Sequence, residues 1–174
     1  MATHYYTASS LDGFIATTEH SLDWLLKQDI DLEGPMAYPG FIEGIGALAM
    51  GASTYEWLRR NEDEWGYTKP TWVFTHRELP IPSGAHVTLT ADPIADVHSA
   101  MTAAAGGEDL WVVGGGDLAG QFAEAGLLDE VWVQYAPVTL GAGAPLLPRG
   151  LELELLEVAR NRNFMCGRYR VIRE

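Results

Sequence analysis

The sequence predicts an α/β protein: one domain over residues 1–174, built on a central mixed, mostly parallel sheet flanked by helices, with antiparallel strands at its C-terminal edge. Three observations carry that prediction. Residues 110–113, Leu-Trp-Val-Val, form an unbroken apolar run of the kind a strand buried on both faces requires. Earlier in the chain, strand-like runs alternate with helix-like ones, which is the order of parallel pairing. Near the end, Leu151 to Leu155 alternates apolar with acidic residues. A short turn at Asn161-Arg162-Asn163 then leads into a strand over 164–172, the spacing of an antiparallel pair.

Each element has its own signal. Residues 4–9 form a first strand, residues 11–13 a turn, and Phe14, Ile15 and Ala16 a short strand after it. Ser21 is placed to cap a helix over 22–27 that brings Trp24 and Leu25 close to the start of the chain. Residues 29–40 are rich in proline, glycine and acids and read as a mobile loop, with a helix over part of 39–43. A second apolar strand covers 47–50. Gly51 ends it, and Ser53-Thr54-Tyr55-Glu56 spells a capping box that marks a helix start. Residues 72–75 and 86–90 are further strands. Asp92 as cap and Pro93 in the first turn open a helix with Ile94, Val97, Met101 and Ala104 on one face, closed by Gly106-Gly107. After the run at 110–113, Asp117 opens a helix with Leu118 and Phe122 on one face and Gly126 at its C-cap. A strand over 131–136 follows, and residues 139–148 read as a loop.

Composition narrows the function. The net charge of −13 argues against nucleic acid, because no basic surface is left to neutralise phosphates. One cysteine, Cys166, excludes internal disulfides and a cysteine-cluster metal site, and the scattered histidines suggest no metal. Met1 leads straight into a strand and no apolar run approaches spanning length, so a cytoplasmic protein without a membrane partner is expected.

The chemistry concentrates at three strand ends. Gly51-Ala52-Ser53-Thr54 offers a helix start, Thr75-His76-Arg77 a hydroxyl beside a guanidinium, and Gly114 to Asp117 a glycine-rich nest before a helix. In open α/β sheets ligands bind outside the carboxyl ends of strands. Free N–H groups and the dipole at a helix N-terminus favour an anion. Together the three ends suit the phosphates of a dinucleotide; a tight strand-to-helix turn also accounts for glycines at 114–116. Gly114 to Ala119 satisfies the G-x-G-x-x-A spelling, but it stands two-thirds along the chain, where a Rossmann fingerprint does not belong.

Four motifs in order resemble a known family. They are Ser9-Ser10-Leu11-Asp12-Gly13-Phe14-Ile15-Ala16, Met50-Gly51-Ala52-Ser53-Thr54-Tyr55-Glu56, Val73-Phe74-Thr75-His76-Arg77, and Leu110 to Gly116 with its helix. The set is similar to the dihydrofolate-reductase-like superfamily, and within it to stand-alone relatives of the reductase half of the bifunctional riboflavin-biosynthesis deaminase–reductase. The resemblance implies a three-layer fold with NADPH lying across the strand ends. It puts Gly51, Ser53 and Thr54 on the pyrophosphate and adenosine side, and Thr75, His76 and Arg77 on the adenosine ribose and its 2′-phosphate. Val113 and Gly114, Gly115, Gly116, Asp117 and Leu118 would hold the pyrophosphate and nicotinamide ribose, with Ala8 and Ile15 against the nicotinamide. Substrate would enter between Asp12, Trp24 and the 29–40 loop, and Asp23 stands near the carboxylate that folate reductases carry on their first helix.

The pattern also departs from the family. Ala52 stands where relatives often have arginine, so 2′-phosphate recognition leans on Arg77; Phe14 replaces the lysine usual in pyrimidine reductases; and the zinc-deaminase signature is absent. Asp12 is the candidate catalytic carboxylate, as proton relay or ring acceptor, although Asp-Gly also simply makes a turn. Trp24 reads as a core or lid residue or as a stacking platform. The expected activity is NADPH-dependent hydride transfer to a C=N or C=O bond of a small pterin- or pyrimidine-like molecule. The alternative is a non-catalytic dinucleotide- or heterocycle-binding module on the same fold. A homodimer is expected, since the apolar strand pair at the C-terminal edge needs cover and stand-alone members of the family it resembles are commonly dimeric; a helix of the same chain is the other way to cover it.

Overall fold

The computed structural model describes residues 1–173. In chain order its elements are β1 (Thr3–Ser9), β2 (Phe14–Ala16), α1 (Asp23–Leu26), α2 (Tyr38–Ile42), β3 (Ile45–Gly51), α3 (Ala52–Asn61), β4 (Thr71–Phe74), β5 (Val87–Thr90), α4 (Ile94–Ala105), β6 (Asp109–Gly114), α5 (Gly116–Glu124), β7 (Glu130–Tyr135), β8 (Ala144–Pro145), β9 (Leu153–Asn161) and β10 (Phe164–Val171). Ten of these strands make two sheets. The large one runs β5-β4-β3-β6-β1-β7-β10-β9, and the small one pairs β2 with β8. From β5 to β7 every pairing is parallel, whereas β7–β10 and β10–β9 are antiparallel. This is the mixed sheet with an antiparallel edge that the sequence implies.

The apolar run at 110–113 lies in the middle of that sheet because it is apolar on both faces. β6 sits between β3 and β1, with Leu110 opposite both Ala47 and Thr3. On one face Tyr5, Leu110 and Val112 bury against Met101 of α4 and Phe122 of α5. On the other, Tyr6, Leu48 and Trp111 pack on Phe41 of α2, and Met50 and Val73 pack on Tyr55 of α3. The result is three layers. Packing, not propensity, holds α5: Gly116 and Gly120 each cost a helix about 1 kcal/mol relative to alanine. Burying Phe122 completely returns roughly 1.5–3 kcal/mol. Among the described residues no helix is long and apolar enough to cross a membrane.

Several local expectations are corrected. The Ser53–Glu56 capping box does not form: Gly51 is the N-cap, α3 begins at Ala52 without a side-chain cap, and Glu56 pairs with Arg77 instead. Pro93 rather than Asp92 is the N-cap of α4, and Asp92 turns its backbone N–H to Thr90 Oγ1 at 3.1 Å. Residues 29–37 are not a free loop. Asn161, buried at the end of β9, accepts from the Asp31 N–H at 2.9 Å and donates to the Asp31 and Pro35 carbonyls. Gln134 and Tyr6 both donate to the Met36 carbonyl, at 2.6 and 2.8 Å. The 139–148 stretch is not all loop either, since β8 lies within it and pairs with Phe14 and Ala16 of β2.

Candidate functional site

A cavity of about 560 Å³ opens at the carboxyl ends of β1, β3 and β6. Its size is that of a small-molecule site, and its walls are mostly apolar. The sheet order gives it two sides. On the β3–β4 side stand α3 and Phe74; on the β1 side stand β2, α1 and β8, with the start of α5 between them.

Two helix N-termini face this space. α3 starts at Ala52 and α5 at Gly116, with Gly51 and Gly115 as extended N-caps, and neither helix has a side-chain cap. The first N–H groups of each are left without intrahelical partners. The backbones are held close: a Cβ built on Gly51 would lie 3.8 Å from the Gly114 carbonyl oxygen, and one on Gly114 3.6 Å from Thr54 Oγ1. The Gly114–Gly115 peptide is cis. The three glycines have separate tasks. A Cβ on Gly115 would meet only Ile15 Cδ1, at 3.7 Å, so that position adjoins open space. A Cβ on Gly116 would collide with the Pro145 and Leu146 carbonyl oxygens, so the third glycine lets α5 seat against β8.

Asp117 is the acid in the first turn of α5, and a bare carboxylate there would compete with an anionic ligand. It is not bare. The Gln121 amide donates to it at 2.9 Å and the Arg149 guanidinium at 2.9 Å, and these two contacts hold its carboxyl below the usual range. Arg149 also pairs with Glu124 and lies across Gly120, where a side chain would strike it.

Of the residues marked in the sequence, Ala8, Ile15, Gly51, Ser53, Thr54, Val113, Gly114, Gly115, Gly116, Asp117 and Leu118 are brought together as lining of this cavity. Thr75, His76 and Arg77 are not. They follow β4 just outside it, with Arg77 exposed and paired to Glu56 on α3. Trp24 is buried with Ala136, Phe164 and Cys166, and its indole N–H donates to the Ser21 carbonyl at 3.1 Å, so it is a core residue rather than a stacking surface. Asp23 is exposed on α1 and outside the lining.

Asp12 also stands outside the lining, and its oxygens are engaged. Oδ1 accepts from Ser10 Oγ at 2.6 Å and the Leu140 N–H at 3.0 Å, and Oδ2 from the Gly141 N–H at 2.7 Å. The Ser10 contact and then these backbone donors hold its carboxyl down to about 2. At neutral pH it is an ionised acceptor whose oxygens already receive three hydrogen bonds within the fold. Its work in the fold is to tie the loop leading into β8 to the turn before β2. The Gly13 carbonyl accepts from the Leu146 N–H at 2.9 Å and completes the clip.

Other lining residues carried little signal in the sequence. Trp57 and Leu58 follow Ser53 and Thr54 by one helical turn and continue the same wall, a spacing that was there to be read. His20 and Leu22 enter from the β2–α1 connection, Leu25 from α1 and Pro145 from β8, through long-range packing that no local pattern announces.

A family model described as the RibD C-terminal domain matches residues 59–167 of this chain. The chain belongs to that family. Its fold is accordingly dihydrofolate-reductase-like. The uncharacterized protein YwjB of Bacillus subtilis (strain 168) is 32% identical over 142 residues, covering 81% of this chain and 79% of its own. The structure of a putative riboflavin biosynthesis protein from Shewanella sp. PV-4 superposes with TM-score 0.85 at 26% identity, over 99% of this chain and 100% of the other. The Thermotoga maritima diaminohydroxyphosphoribosylaminopyrimidine deaminase/5-amino-6-(5-phosphoribosylamino)uracil reductase shares the fold, with TM-score 0.66 at 17% identity, over 98% of this chain and 56% of that one.

Proposed function

We propose that this protein is an NADPH-dependent reductase that delivers hydride to a C=N or C=O bond of a small pterin- or pyrimidine-like heterocycle. One observation carries the reading: two uncapped helix N-termini, with glycine backbone between them, converge on a largely apolar cavity at the carboxyl ends of parallel strands. Such a site offers N–H donors to phosphates and apolar walls to flat rings. Membership of the RibD C-terminal family and likeness to a riboflavin biosynthesis protein support it.

In this reading the N–H groups of Ala52, Ser53 and Thr54 and of Gly116, Asp117 and Leu118 meet the pyrophosphate. Ala8, Ile15 and Val113 form the wall for the nicotinamide and exclude water there. Thr75, His76 and Arg77 wait beyond the β3–β4 side for the 2′-phosphate. NADPH, when bound, supplies the hydride, and the chain's task is to hold donor and acceptor face to face. The proton comes from solvent or from a group other than Asp12. A cytoplasmic setting, where this cofactor is kept reduced, completes the proposal.

Calorimetric titration with NADPH is expected to give micromolar affinity, about −8 kcal/mol. Loss of nicotinamide absorbance is then expected on adding a dihydropterin or an aminopyrimidine. No binding would overturn the reading. Binding without turnover on any C=N or C=O acceptor would favour the non-catalytic module, for which Ala52 and Phe14 are the motivating residues.

A further inference from the structure

The β1 side of the cavity is unlike the β3 side. It is walled by Ile15, Ala16, Leu22, Leu25 and Pro145, and the polar side chains it presents are Thr7 of β1, whose hydroxyl donates to the Ala8 carbonyl, and His20. His20 is exposed, and at φ +59° it takes the left-handed conformation that histidine, like asparagine and aspartate, adopts more readily than most side chains. Among the described residues no lysine or arginine lines the cavity. The charges nearest His20 in the chain are negative, with Glu19 and Asp23 on either side and both exposed. Lys27, after α1, is exposed and outside the lining. Arg149 is already shared between Asp117 and Glu124. The helix N-termini that could take a phosphate open on the middle and the β3 side, where the proposed cofactor lies.

From this placement we infer that the reducible substrate is a flat, phosphate-free heterocycle, stacked against Ile15, Leu22 and Leu25 and hydrogen-bonded by His20. The inference rests on the reductase reading and narrows its substrate. A phosphate dianion brought to this side would find apolar walls, one imidazole and one hydroxyl but no lysine or arginine of the lining, and an ionised group left unpaired is strongly disfavoured. A heterocycle loses little there, since its faces meet apolar side chains and its ring heteroatoms meet His20. A phosphoribosyl-bearing pyrimidine is thereby selected against.

The test uses 6-hydroxymethylpterin and its phosphate monoester, which differ only in the phosphate, titrated by fluorescence into the protein with and without saturating NADP⁺. The free pterin is expected to bind at least about tenfold more tightly than the ester. His20→Arg, at an exposed position that should leave folding intact, is expected to close or invert that gap, and Leu25→Arg to do the same from α1 on the same side. Equal or tighter binding of the ester by the unmodified protein overturns the inference, as does failure of either compound to bind. A parallel NADPH titration separates the two readings. NADPH binding with the ester preferred sinks the phosphate-free substrate alone; no NADPH binding sinks the reductase.

Discussion

At the scale of single residues, two side chains are engaged within the fold where their motifs suggested free functional groups. Asp12 read as a proton relay or a ring acceptor because it stands in a motif beside the expected ring site; its three hydrogen-bond donors make it a clamp on the loop leading into β8. The folded carboxyl lies near 2 and the free one near 3.8, so its contribution is complete above about pH 4 and is lost as the pH falls toward 2. Asp12→Asn keeps one acceptor and turns an N–H toward another N–H. It is expected to lower the melting temperature and raise KM while leaving the shape of the pH–rate profile from neutral to alkaline pH unchanged. A profile that loses its protonation step in the variant would restore Asp12 as proton donor. Arg77 is the second case. It is mostly exposed, and its pair with Glu56 is a surface ion pair worth only about 0–1 kcal/mol. A 2′-phosphate can therefore draw it away. Arg77→Ala is expected to erase a preference of NADPH over NADH worth roughly 1.5–3 kcal/mol, and Glu56→Gln, by freeing the guanidinium, to increase it. An unchanged preference in Arg77→Ala places the cation elsewhere, with Arg59 and Arg60 on α3 the next candidates.

At the scale of elements, the turn between β6 and α5 offers a comparison within one tripeptide. A side chain on Gly115 would enter the cavity, and one on Gly116 would strike the backbone of β8. Gly115→Val is thus expected to fold with nearly normal stability and to lose NADPH affinity by more than tenfold, about 1.4 kcal/mol or more. Gly116→Val is expected to lose stability first, read as a drop in melting temperature without ligand. Equal NADPH affinity in Gly115→Val and the unmodified chain, by calorimetry, would remove the phosphate role of this turn. The sequence displayed these glycines, and the strand and helix around them, because burial on both faces and glycine punctuation are local patterns. It did not display which glycine serves the cavity and which serves β8. That division depends on Pro145 and Leu146, some thirty residues away along the chain. For the same reason the capping box at Ser53 misled. The spelling was present, but Arg77 from beyond β4 takes the glutamate it needs. His20 was invisible for want of any pattern: it lines the cavity because β2 and α1 pack where they do.

At the scale of the molecule, the outstanding surface is the hairpin β9–β10. Its pairing register puts Leu153, Leu155 and Val158 of β9 on the same face as Met165 of β10, and all four are exposed, Val158 by 67%. No helix covers them among the described residues, since α4 and α5 lie over the middle of the sheet. The opposite face of the hairpin has its charges matched within the chain, Arg170 to Glu154 and Arg168 to Glu130. Those arginines therefore have carboxylates of their own and call for none from a partner. What remains is an apolar stripe beside an open strand edge, and such an edge invites pairing unless it is covered. We propose that a second copy covers it. A two-fold contact is self-complementary, so one apolar stripe meeting its own image needs no further design. Sedimentation equilibrium at micromolar protein is expected to give about twice the 19.0 kDa chain mass. Val158→Glu with Leu155→Glu should halve it by placing like charges across the axis, and NADPH affinity should persist because the stripe is remote from the cavity. A monomer in the unmodified protein would refute the dimer. A dimer that survives both glutamates would put the contact on some other face.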